Sequence, residues 1–155
     1  MIKFTNLDRA FTELQEELHD AYNEIHSSGQ VSNGKYCKLV EEDLKRITQR
    51  KFAKMFPSGT SAILGALLAW NIKNKKVACT NYSYVASTNQ AALFNEVELF
   101  DVDKNGLMQL QEQINHHACM PVSLYGNTVD YDNFYKNVGP NTKVIVDCAQ
   151  SLGAK

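Results

Sequence analysis

Apolar and polar residues alternate in two different rhythms along this chain, and the change of rhythm divides it. In the first stretch Leu7, Ala10, Phe11, Leu14, Leu18, Ala21, Tyr22 and Ile25 recur at three- and four-residue spacing, the signature of an amphipathic helix. "HSSGQ" ends that stripe, with Gly29 available for a left-handed cap, and "SNGKY" reads as a turn. A second helix is expected from about Cys37 to Gln49, with Val40, Leu44 and Ile47 on one face.

Beyond residue 50 short apolar runs alternate with helical segments. "FAKMF" is expected to be a short strand and "PSGTSAILGALLAW" a turn opening an apolar helix. "KVACT" reads as a strand, "NYSYVASTNQAALF" as a turn leading into a helix, and "EVELFDVD" as a strand ending in acids. Leu107, Leu110 and Ile114 share one side of a helix expected over "GLMQLQEQINHH". "ACMPVSLYG" is a strand followed by a turn, "VDYDNFYKN" a short helix, and "TKVIVD" the last strand. Such alternation predicts an α/β fold: three layers, with a mainly parallel sheet and helices on both faces. The two leading helices stand outside it, which suggests an N-terminal helical segment (1–50) packed on the edge of a sheet domain (51–155).

Composition narrows the function little. The chain has 155 residues, 44% of them apolar and 21% charged, with a net charge of −1. This is ordinary globular material with no electrostatic footprint for nucleic acid or an anionic membrane. The lysines of "NIKNKKV" read as a solvated turn. The N-terminus lacks the apolar core of a signal peptide, and the longest apolar run, "AILGALLAW", is too short to span a bilayer. The cytoplasm is thus the default location. Cys37, Cys79, Cys119 and Cys148 are far apart, with no C-x-x-C pair, and read as reduced core thiols. The histidines lack metal spacing, and the adjacent pair His116 and His117 is expected at the surface of a helix end.

Candidate chemistry gathers where ligands bind in open α/β sheets, beyond the carboxyl ends of the strands. In "SGTSA" the amides of Gly59, Thr60 and Ser61 open a helix and suit an anion such as phosphate, although Ser58 or Thr60 could simply cap it. The loop is neither a P-loop nor a dinucleotide fingerprint. Tyr82 and Tyr84 stand at the mouth of the next strand, where a ring can stack on a flat ligand or pack against a loop. Asp147, at the tip of the β-branched run in "VIVDCAQSLGAK", is a carboxylate that needs a positive partner. With no second acid or histidine nearby in sequence to complete a metal site, a cationic ring nitrogen suits it best.

Taken in order, "SGQVSNGKYCKLVEEDL", "SGTSAILGALLA", "NYSYVASTNQA", "LFDVD", "PVSLYGN" and "VIVDCAQSLGAK" resemble the pyridoxal-phosphate-dependent sugar aminotransferases of the DegT type. That family shares the fold type I architecture of aspartate aminotransferase, and the resemblance covers nearly the whole chain. It implies that Gly59, Thr60 and Ser61 hold the cofactor phosphate, that Tyr84 stacks on the pyridine ring, and that Asp147 pairs with the pyridinium nitrogen. It also implies that Gln150 hydrogen-bonds the ring oxygen. The full enzyme would be a homodimer moving an amino group, typically from glutamate, to a keto-sugar nucleotide. One departure matters: the family's Schiff-base lysine follows the aspartate by well over a dozen residues, and Lys155 matches an ordinary position past "SLGA". The chain is therefore expected to be an N-terminal portion, inactive alone, without the lysine segment and the small C-terminal domain. The alternatives are a non-catalytic binding or regulatory module that associates with a full-length homologue, and a complete flavodoxin-like domain.

Overall fold

The computed structural model describes residues 3–154. The chain divides into two compact units, Met1–Met55 and Phe56–Lys155.

The first unit holds two helices, α1 (Leu7–Ser28) and α2 (Lys35–Thr48). Gly29 closes α1 at φ 66°, the left-handed conformation that a glycine adopts without a Cβ penalty. Glu24 of α1 accepts hydrogen bonds from Lys35 Nζ and the Tyr36 hydroxyl, tying the two helices across the turn. No residue of either helix is fully buried, and the stripe of Leu7, Phe11, Leu14, Leu18 and Tyr22 is exposed.

In the second unit, α3 (Gly59–Ala69), α4 (Val85–Ala92) and the short α5 (Tyr131–Phe134) accompany four strands. These are β1 (Lys76–Thr80), β2 (Glu96–Phe100), β3 (Ala118–Met120) and β4 (Lys143–Val144). They pair in the order β2-β1-β3-β4, every neighbour parallel. β1 and β3 are covered on both faces, which is why "VAC" and "ACM" read as unbroken apolar runs rather than alternations. β2 lies at an edge and exposes Glu96 and Glu98, charges that discourage further strand pairing.

Two apolar clusters fill the two faces. Val77, Cys79, Ala118, Met120 and Ile145 meet Ile63 and Leu67 of α3 and Ala91 of α4. On the other face Ala78 and Cys119 meet Met108, Ile114, Val129, Phe134 and Val138. Burial pushes the thiols of Cys79 and Cys119 up to about 12, so both stay protonated and inert as nucleophiles. Cys148, by contrast, is exposed, since it lies past the tip of the last strand instead of in the core expected from sequence.

Three expected features differ. Residues 106–117 form no helix. Asp103 Oδ1 accepts the N–H groups of Asn105 and Leu107, and Gly106 at φ 77° turns the chain back, so that Met108 bridges Val102 antiparallel. This side-chain turn outcompetes helix initiation. The strap that follows buries Met108 and Ile114 directly against the sheet. "FAKMF" pairs with no strand among the described residues, so it forms no ladder. His116 is not at a helix end. Its side chain is 10% exposed, with Nε2 2.9 Å from Glu98 Oε2 and the ring edge-on to Phe100, because two residues before β3 the chain packs this ring against β2.

Candidate functional site at the carboxyl edge of the sheet

Chain direction alone brings the candidate residues to one edge. β1 runs out at Thr80 and α4 begins five residues later, so the N-terminus of α4 stands at the carboxyl edge. α3 precedes β1 and returns to its amino end through a six-residue connection in which Asn71 and Asn74 adopt positive φ. Its N-terminus therefore lies at the carboxyl edge too. The ladder between β3 and β4 continues beyond both strands. Ile145 N–H donates to Cys119 O, Asp147 N–H to Pro121 O and Ser123 N–H to Asp147 O. Both backbone groups of Asp147 are thus engaged, and its side chain leaves from a fixed base.

The carboxylate itself is held at both oxygens. Ser87 Oγ donates to Oδ2 at 2.8 Å, and Ala149 N–H donates to Oδ1 at 3.1 Å. Among the described residues no lysine, arginine or histidine pairs with it. An ionised carboxylate steadied by two neutral donors but lacking a counter-charge offers a hydrogen-bonding site to a cation.

At the start of α3, Ser58 is the N-cap. Its Oγ accepts the Ser61 N–H, its carbonyl accepts the Ser61 hydroxyl, and the two hydroxyls lie 2.8 Å apart. Capping thereby uses the amide of Ser61, one of the three expected to face an anion. The N–H groups of Gly59 and Thr60 have no acceptor among the described residues. Two free amides, a pair of serine hydroxyls and the positive end of an eleven-residue helix remain as an anion cradle. A Cβ added at Gly59 would meet nothing within 4 Å, so the chain's own packing leaves space above it.

The two tyrosines of "NYSYVAS", equivalent in the sequence, have different surroundings. Tyr82 is committed: its hydroxyl is 2.9 Å from that of Tyr125, and its ring lies beside Gly106. Tyr84, at the N-cap of α4, is 74% exposed and its ring is available to a ligand. Tyr125 itself sits at φ 58°, uncommon for a bulky residue. Its bond to Tyr82 raises its phenol above the ordinary range. Gln150 Oε1 accepts the Tyr125 N–H at 2.9 Å. Since an N–H can only meet the carbonyl end of the amide, the Gln150 NH₂ is left to donate elsewhere.

Of the six site residues expected from sequence, Asp147 and Gln150 share the loop after β4, Tyr84 opens α4, and Gly59, Thr60 and Ser61 open α3. Ser87 and Tyr125 were not foreseen. Nothing in "VAS" distinguishes Ser87 from an ordinary small helix residue; "LYGN" carries a turn signal that hints at the loop but not at the tyrosine pair. Lys155 lies outside the described residues.

Residues 12–155 match the DegT/DnrJ/EryC1/StrS aminotransferase family. A dTDP-4-amino-4,6-dideoxy-D-glucose transaminase of Shigella dysenteriae is 30% identical over an alignment of 133 positions, covering 81% of this chain and 36% of that relative. Among solved structures, DesV of S. venezuelae superposes with a TM-score of 0.86 at 21% identity, over 98% of this chain and 43% of its own. NtdA of Bacillus subtilis, with bound cofactor PMP, superposes with a TM-score of 0.81 at 23% identity, over 98% of this chain and 37% of its own. The chain thus spans well under half the length of each of these relatives, and their fold is the one described above.

Proposed function

Because the chain belongs to the DegT/DnrJ/EryC1/StrS aminotransferase family, we propose that it supplies the cofactor loops of a pyridoxal-phosphate-dependent aminotransferase acting on a keto-sugar nucleotide. The observation that carries this reading is Asp147: a carboxylate fixed by Ser87 and Ala149, with no cation of the described chain beside it. It fits a group that brings its own positive charge on a flat ring. Bound there, such a cofactor supplies an electron sink for the carbon that must lose a proton during amino transfer.

In this reading each residue has a separate task. The Gly59 and Thr60 amides and the Ser58–Ser61 hydroxyls receive the phosphate, with Ser61 acting through its hydroxyl rather than its amide. Tyr84 stacks on one ring face. Asp147 accepts the proton-bearing ring nitrogen and keeps it protonated, while the Gln150 NH₂ donates to the ring oxygen. Lys155, at an ordinary position past "SLGA", is not the attachment lysine in this reading. The whole protein would take its amino group from glutamate and work in the cytoplasm as a homodimer. In keeping with that location, no described helix is long and apolar enough to cross a membrane. A sugar-nucleotide substrate is supported by the relative named for a dTDP-sugar.

The test of function is amino transfer by the whole protein. Supplied with pyridoxal phosphate, glutamate and a panel of keto-sugar nucleotides, it should release 2-oxoglutarate only when a sugar nucleotide is present. Release with 2-oxo acids alone, and with no sugar nucleotide, would sink the substrate assignment.

Gly59→Ala tests the phosphate cradle. The added methyl meets no protein atom, and alanine is the better helix former by up to about 1 kcal/mol. Thermal unfolding should therefore shift upward or stay unchanged, while affinity for PMP (pyridoxamine 5′-phosphate) falls. Unchanged affinity would remove Gly59 from the cradle.

A further inference from the structure

We propose that Ser87 is a positioning residue for the cofactor, acting through Asp147; this rests on the cofactor reading above. Ser87 is 2% exposed, yet its hydroxyl is not spent inside its own helix. A helical serine commonly returns its proton to a carbonyl one turn back. Here the Oγ–H instead reaches sixty residues along the chain to Asp147 Oδ2 at 2.8 Å.

The consequence is geometric. Ala149 N–H fixes Oδ1 and Ser87 fixes Oδ2, so the plane of the carboxylate is set by two donors from different elements. Each oxygen retains lone-pair capacity for a further donor. Without Ser87 the carboxylate keeps its charge and its backbone anchors but loses the contact that stops it turning away. Ser87 has a second link to the site. It lies three residues after Tyr84, whose carbonyl accepts the Ser87 N–H, so the N-cap residue and Ser87 are joined by the first hydrogen bond of α4. A single turn of α4 thereby sets both the stacking ring and, through Ser87, the partner of the ring nitrogen.

The probe is PMP, which needs no attachment lysine, offered to the 155-residue chain with a ¹⁵N label at its ring nitrogen. Affinity and the ring ¹⁵N signal would be measured for wild type, Ser87→Ala, Ser87→Thr, Asp147→Asn and the Ser87→Ala/Asp147→Asn double variant. Ser87→Ala should weaken PMP by about 3- to 10-fold, the worth of one net hydrogen bond, and move the ring signal toward neutral pyridine. Ser87→Thr, which keeps the hydroxyl, should restore both. With Asp147→Asn in place, Ser87→Ala should add nothing. Ser87→Cys, similar in size but a poor donor, replaces the alanine variant should that one unfold. Wild-type behaviour of Ser87→Ala, or an equal loss in the Asp147→Asn background, overturns the positioning role and leaves the cofactor reading standing. A wild-type chain that does not bind PMP overturns both.

Discussion

Asp147→Asn is expected to weaken PMP binding by about 10- to 100-fold, the worth of one hydrogen bond to a charged group, with little change in stability. The side chain is only half-buried, and an asparagine carbonyl can still accept from Ser87 or Ala149. The backbone bonds of residue 147 to Pro121 and Ser123 do not depend on its side chain. What the substitution removes is the negative charge that, in the proposed reading, holds the ring nitrogen protonated. Calorimetric titration of PMP into the folded variant reads the loss, and circular dichroism reads the fold. Near-wild-type affinity would mean that the ring nitrogen does not meet this residue. A variant that unfolds would mean that the carboxylate is chiefly a structural tie between α4 and the sheet.

Leu67→Ala is expected to produce the largest loss of stability. Leu67 is 1% exposed in the cluster where α3 meets the sheet, together with Ile63, Val77, Met120 and Ile145. Truncating it removes transfer free energy and leaves a cavity, together about 2 to 5 kcal/mol. Against a typical total of about 5 to 15 kcal/mol, that is enough to depopulate the native state on mild heating. The neighbouring Leu68, 54% exposed, is the matched control; Leu68→Ala should stay within about 0.5 kcal/mol. Urea unfolding of both variants checks the pair. Equal effects would contradict the packing of α3. Because α3 also presents Gly59 and Thr60 at its start, the Leu67 variant should lose affinity for PMP together with its folded fraction.

The features legible in the sequence are those fixed locally. The stripe on α1 with its Gly29 stop, the Ser58-capped start of α3, and the apolar strands β1 and β3 all follow from periodicity and cap chemistry within a few residues. Asp147 is legible for a similar reason: a charge directly after three β-branched residues is conspicuous wherever the strand is buried. Features that depend on distant partners were not legible. Leu107, Leu110 and Ile114 satisfy the helix template, but the Asp103–Gly106 turn and the apolar face of the sheet decide otherwise. The residues of "FAKMF" have strand character, yet a strand exists only beside another. Ser87, the partner of Asp147, is a small polar residue in a helix until the loop after β4 arrives beside it. The different settings of Tyr82 and Tyr84 likewise depend on Tyr125, more than forty residues away in the sequence.

In the proposed reading one carboxyl-edge shelf binds a phosphorylated, cationic ring between the start of α3 and Asp147. Diffraction from crystals of the chain grown with PMP tests it most directly. The phosphate should lie on the Gly59 and Thr60 amides and the Ser58 and Ser61 hydroxyls, with the ring against Tyr84 and its nitrogen on Asp147. PMP bound elsewhere, such as the groove lined by Asp103, Gln109, Asp130 and Asn137, or no ordered PMP at saturating concentration, would contradict it.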